Sequence, residues 1–308
     1  MYTIETDNLT LKLEIVPVGA LRPHEATLPS VADRLQVEFQ NWAHLQNPII
    51  VDENHVVLDG NHRAVVFRRL GFRFMPVCKI DYFNATARLR YWFRRLDNLP
   101  GVGLLSNTLT AMGACLDPVG GRRRLRAALE NEVLCCGLQR GNHYSLVRFP
   151  PDMVNDAVSA YRTLHRFQQA LETRGISVEY IPCRPVRRGK CDFETGSGQA
   201  VIWTPPISKE MVVAAARRKQ VFAPKTTRHL IPARPLNVNV SSHWCKQPAG
   251  LEEINARFEA HLRTKRVRKF GPGQVIDGRY YEEELYIFFD PEGPAAGTAG
   301  RKKGTCHG

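Results

Sequence analysis

The segment from Asn47 to Asp81, NPIIVDENHVVLDGNHRAVVFRRLGFRFMPVCKID, constrains the fold more than any other part of the chain. Pro48 to Val51 is a short apolar run, Asp52-Glu53-Asn54 turns the chain, and His55 to Leu58 returns as the second arm of a hairpin. Asp59-Gly60-Asn61 breaks that strand. His62 to Leu70 has the spacing of an amphipathic helix closed by Gly71, and Met75 to Asp81 is again a strand. The order implies a compact unit of mixed α and β structure, with a glycine turn feeding a helix N-terminus.

The flanking pattern agrees. Residues 9 to 18 alternate as a strand, and a polar loop leads into a helix from Ser30 to Leu45, with Ser30 as cap and Asp33 as the capping acid. Downstream, the weak signal between Pro100 and Glu130 is followed by a strand at Tyr144 to Phe149 and a helix from Pro151 to Arg174 closed by Gly175. Strands are expected at Ser177 to Pro182, Gln199 to Thr204, Leu236 to Val240 and Glu284 to Phe289. Ser208 caps a helix running to Lys219. The fold class is α+β, a mixed α/β chain with a nucleotide-binding unit over 1–100, a second α+β unit over 101–290 and a Gly/Ala/Lys-rich flexible tail over 291–308.

No apolar window approaches the roughly 20 residues that span a bilayer, and the acidic, alternating N-terminus is no signal peptide. The expected location is the cytoplasm. The 8 cysteines lie without a repeated C-x-x-C, so they read as reduced structural thiols rather than zinc ligands. A net charge of +13 concentrates anionic ligands without naming them. Nucleic acid would require the basic runs, such as Arg263 to Lys269, to gather on one face.

The chemistry centres on Asp59-Gly60-Asn61-His62-Arg63. A glycine turn opening a helix offers free backbone N–H groups to an anion, and the helix dipole favours negative charge there. Arg63 is suited to clamp a phosphate, His62 to donate another bond, and Asp59 to order the arginine or hold a divalent metal. A second cluster, Lys225-Thr226-Thr227-Arg228-His229, sets three basic groups beside two hydroxyls.

The run VVLDGNHRAVVFRRLGFRFMPVCKIDYF resembles the phosphate-binding segment of the ParB/sulfiredoxin-like superfamily. Sulfiredoxins carry a cysteine just before the His-Arg pair. Asn61 stands there and has no thiol, so that chemistry is excluded. ParB-type proteins bind nucleotide and DNA and follow this unit with helix-turn-helix helices, which the downstream pattern does not offer; a nucleotide-dependent DNA-binding protein is the alternative reading. The chain resembles the free serine kinases of the superfamily over roughly residues 9 to 290.

That resemblance implies roles. Leu21-Arg22-Pro23-His24-Glu25 resembles the loop supplying the family's catalytic glutamate, so Glu25 is the expected base, across from the turn that carries Asp59, the second expected catalytic residue. Gly60, Asn61, His62 and Arg63 would hold the nucleotide phosphates. Phe222 to His229, with IPARPLNVNV after it, resembles the substrate segment, placing Lys225, Thr226, Thr227, Arg228 and His229 at the amino acid. Trp92 lies where the family has a substrate-contacting tryptophan. The donor is ATP or ADP with Mg²⁺ bridging its phosphates and no metal ligated directly by the protein, apart from the option at Asp59. The acceptor is free L-serine, and a pyridoxal-dependent enzyme would consume the phosphoserine.

Overall fold

The computed structural model describes residues 1–101, 103–182 and 195–291. The expected C-terminal tail therefore lies, from residue 292 on, outside the described residues. Among the described residues no helix is long and apolar enough to cross a membrane.

The first sheet is mixed and six-stranded, in the order Tyr2–Glu5, Thr10–Pro17, Phe74–Lys79, Ile49–Val51, Val56–Asp59, Arg22–Pro23. Its central strands are apolar on both faces, and Ile49, Val51, Val56, Val57 and Val77 are fully buried. The hairpin expected at Asp52 to Asn54 is present, and the chain then enters the helix Asn61–Arg69 directly after Gly60. That helix packs on a second, Pro29–Gln40, through Phe67 and Phe39, whose rings lie 5.2 Å apart.

A second sheet is built on Arg88–Asp97, a ten-residue strand that pairs with Ser177–Pro182, Ala200–Trp203 and Thr227–Leu230. It continues through Cys136–Arg140, His143–Arg148 and Cys115–Val119. A third, three-stranded sheet joins Ala233–Leu236, Glu284–Phe289 and Arg266–Phe270. The helix Leu251–Arg263 then returns to the first sheet, where the Asn255 carboxamide accepts from the Ile15 N–H and donates to the Ile15 carbonyl, both at 2.8 Å.

Several expected boundaries move, each for a local reason. The first helix starts at Pro29, where proline's missing N–H costs nothing, and stops at Gln40, so Ser30 caps nothing and Asp33 pairs instead with Arg69. Residues His44–Leu45 leave it to pair with Val240–Ser241. The helix expected from Pro151 begins at Ala157, because Asp156 and Ser159 form a reciprocal capping box. The strand expected over Leu236 to Val240 is interrupted by Asn237 and Asn239, which take left-handed backbone angles. Ser208 does cap its helix, accepting from the Met211 N–H at 3.2 Å. The weak region after Pro100 contains helices Gly103–Ala111 and Arg122–Asn131 flanking a strand.

Candidate active site

A crevice of about 1300 Å³ opens between the sheets, and it is lined by Glu25, the turn Asp59 to Arg63, Trp92, Lys225 and Thr227 to His229. Thr226 is the exception among the expected residues. It is fully buried, and its hydroxyl donates to the Ala223 carbonyl at 2.7 Å, so it shapes the loop from below.

Gly60 makes the helix start possible. Its φ of +100° is a conformation that L side chains rarely adopt, and an added Cβ would fall 2.4 Å from Cγ2 of Ile49. No side chain caps the helix, so the N–H groups of its first turn have no side-chain cap to satisfy them. Gly60→Ala is therefore expected to cost about 1–3 kcal/mol in strain and displacement of Ile49, read as a lower urea midpoint together with weakened nucleotide binding in calorimetry. Wild-type values for both would mean that the cradle does not depend on this geometry.

Arg63 does less toward the crevice than its motif suggested. Its guanidinium donates to the Asn47 carbonyl at 2.5 Å and stands 3.8 Å from the Asp59 carboxylate, stiffening the turn while charging it. Asp59 is held mainly by Arg234, a residue no local motif singles out although it lies within IPARPLNVNV. Arg234 is itself bonded to Glu283 at 2.7 Å. Burial opposes charge on Asp59, but Arg234 and Arg63 overcome it and hold its carboxyl well below the usual carboxylate range. With both arginines on its Oδ2, Asp59 orders the cations, and the described residues hold no group of three or more His, Cys, Asp or Glu placed to bind a metal.

Glu25 is fixed by the opposite wall. A parallel bridge to Phe222 brings the two chain segments together, and Lys225 adopts a left-handed turn with φ of 58°. That turn aims backbone donors at the carboxylate: Lys225 N–H meets Oε1 at 2.9 Å and Thr227 N–H meets Oε2 at 2.8 Å. The Thr227 hydroxyl lies 2.7 Å from Oε2. A carboxylate oxygen accepts about two bonds, so Oε1 keeps a lone pair for a proton donor in the crevice.

Trp92 anchors the same loop by donating to the Thr227 carbonyl at 3.1 Å, and Lys225 and Arg228 each sit 5.7 Å from the centre of its ring. Arg94, also unforeseen, is only 1% exposed and donates to the Lys225 carbonyl at 3.1 Å. His62 takes the Leu28 N–H on Nε2 at 3.1 Å, and His229 faces Tyr82 at 2.8 Å. Burial holds His24, His62 and His229 below the ordinary imidazole value, with Glu25 opposing it at the first two. The crevice thus combines neutral imidazoles, one backbone-held carboxylate and several cations.

The basic stretch Arg263 to Lys269 does not line the crevice, and three of its five cations are held in ion pairs. Arg263 pairs with Glu259, Lys265 with Asp290, and Lys269 with Asp7 and Glu284.

Against this geometry, a free serine kinase mutant solved in complex with AMP superposes with a TM-score of 0.62 at 17% identity, covering 79% of this chain and 97% of that one. The fold is that of a free serine kinase. In sequence, the chain is 24% identical over 235 residues to an ATP-dependent L-serine kinase of Staphylothermus marinus, spanning 73% of this chain and 88% of that protein. It is 18% identical over 231 residues to an ADP-dependent L-serine kinase of Thermococcus kodakarensis, spanning 73% and 89%. No protein-family model matches the chain.

Proposed function

We propose that the chain is a kinase transferring a phosphoryl group from ATP or ADP to the hydroxyl of free L-serine, releasing O-phospho-L-serine. One observation carries this reading: a carboxylate with a free lone pair, an uncapped helix start and a cationic loop line one crevice. The two serine kinases similar to it in sequence, one ATP-dependent and one ADP-dependent, support the acceptor and the class of donor.

Glu25 takes the proton of the serine hydroxyl as that oxygen attacks the terminal phosphorus. The new O–P bond forms in line with the bond that breaks, and the nucleotide leaves with the electron pair. Gly60, Asn61, His62 and Arg63 hold the phosphates at the helix start. Magnesium would come bound to the nucleotide substrate, where it would neutralise charge on the phosphate oxygens. Thr227, Arg228 and His229 face the amino acid, with Lys225 reaching over Trp92 toward the transferred group. The reaction belongs in the cytoplasm, where nucleotide and free serine coexist. The phosphate ester made here is a good leaving group for a pyridoxal-dependent enzyme that replaces it.

The test is nucleotide consumption with serine, threonine, homoserine or no amino acid. Serine should be favoured over the other two by about 10- to 200-fold, the range one methyl or methylene confers in a fitted pocket. Consumption that is equally fast with no amino acid present would remove the kinase reading.

A further inference from the structure

The arginines around the Asp59 turn are mostly engaged by the chain itself. Arg63 gives its guanidinium to the Asn47 carbonyl and to Asp59. Arg234 lies between Asp59 and Glu283, and Arg228 pairs with Glu282 at 3.0 Å. A fork that already meets carboxylates has fewer donors left for a phosphate. Arg279 differs. It lines the same crevice, yet among the described residues no carboxylate lies within ion-pair distance of it and no acceptor takes its N–H groups. Its guanidinium lies over the Tyr281 ring instead, 4.8 Å from the centre.

Local rules place Arg279 there. Gln274–Ile276 and Arg279–Tyr281 form a two-stranded ribbon joined by Asp277 and Gly278, which have φ of 49° and 75°. Two left-handed residues make the tight turn whose twist matches its flanking strands, and this fixes the register. Ile276 stands opposite Arg279 and Gln274 opposite Tyr281, so these four side chains share a face. Ile276 and Tyr281 pack with Leu236, Leu285 and Ile287, which turns that face inward. Val275 and Tyr280, on the other face, are 66% and 62% exposed. Just past the ribbon, Glu282 and Glu283 bond to Arg228 and Arg234 at 3.0 and 2.7 Å. One tie reaches the cationic loop and the other, through Arg234, reaches Asp59.

The charges of this network do not balance. Arg63, Arg228, Arg234 and Arg279 are set against Asp59, Glu282 and Glu283, leaving one positive charge over. Arg279 acts electrostatically on both Asp59 and Arg63, so the excess is felt at the helix start. An anion bound there would relieve it. We propose that Arg279 grips the phosphate chain of the nucleotide from the ribbon, opposite the helix start at Gly60 to Arg63. A free guanidinium fork suits this, since it can give two parallel N–H bonds to one phosphate. The inference rests on the kinase reading above and adds to it a binding residue from outside the motif.

The experiment titrates the full chain with adenosine, ADP and ATP by calorimetry in the presence of Mg²⁺. Arg279→Met keeps the length of the side chain and removes its charge, and Arg279→Lys keeps the charge and removes the fork. Arg279→Met should weaken ADP and ATP about 10- to 100-fold, the usual effect of losing hydrogen bonds to a charged partner. Adenosine, which has no phosphate, should bind as it does to wild type, and the urea midpoint should stay in place. Arg279→Lys should recover part of the lost affinity, and added salt should narrow the gap between Arg279→Met and wild type. Wild-type affinity of Arg279→Met for ADP and ATP overturns the proposal. An equal loss for adenosine overturns it too, since the ribbon and not the phosphate contact would then be at fault. A wild-type protein that binds ATP and ADP but makes no phosphoserine would overturn the kinase reading, with Arg279 still judged by the same titrations.

Discussion

Glu25→Gln is expected to lower phosphoryl transfer by about 10²- to 10⁴-fold, the usual contribution of a positioned general base, while nucleotide affinity stays close to wild type. The amide keeps the shape of the carboxylate but cannot take a proton. It also cannot satisfy both backbone donors. Lys225 N–H and Thr227 N–H point at different oxygens of Glu25, and an amide turns an NH₂ toward one of them. A modest loss of stability, about 1–3 kcal/mol, should accompany the lost rate. Turnover by a coupled assay and binding by calorimetry separate the two effects. A Glu25→Gln protein that keeps more than a tenth of the wild-type rate is incompatible with Glu25 as the base.

The second large effect is on stability. Asp59→Ala leaves Arg234, whose side chain is 8% exposed, with Glu283 alone, and takes from Arg63 its nearest anion. Breaking a buried ion pair from one side costs about 3–5 kcal/mol. The Asp59 side chain is 33% exposed and partly screened, so the low end, about 3 kcal/mol, is expected in urea unfolding. The same interaction has a pH signature. The Asp59 carboxyl is depressed in the folded protein, so its contribution is complete above the ordinary aspartate range and fades as pH falls below it toward the folded value. The Asp59→Ala protein should therefore lose less stability than wild type on acidification below about pH 4. An unfolding midpoint within about 0.5 kcal/mol of wild type would show that Asp59 does not hold the arginines.

The glycine turn before Asn61 was legible because it depends on local chemistry. A break after an apolar strand, followed by helical spacing, specifies a helix start wherever the rest of the chain goes, and Gly60 takes the left-handed angle such a turn requires. The cluster Lys225 to His229 stood out by its own residues, but its pairing with Glu25 was legible only through a resemblance, since nothing local says that a loop 200 residues away closes on Glu25. The strand Arg88–Asp97 was hidden by its own composition. RLRYWFRRLD carries four arginines, yet Phe93, Arg94 and Leu96 are buried, and Arg94 tolerates this because its fork is taken up by the carbonyls of Trp92 and Lys225. Arg234 was missed for a similar reason, because a lone arginine between alanine and proline gives no sign that it will face Asp59 and Glu283 at once. Long-range pairing decides such positions, and a sequence read by period and cap does not contain it.

The most direct measurement is phosphorus NMR of the protein incubated with L-serine, Mg²⁺ and either ATP or ADP. The expected result is a new monoester resonance that coincides with that of O-phosphoserine and grows in step with loss of the nucleotide's terminal phosphate. Inorganic phosphate as the sole product, or spectra unchanged by serine, would contradict the account.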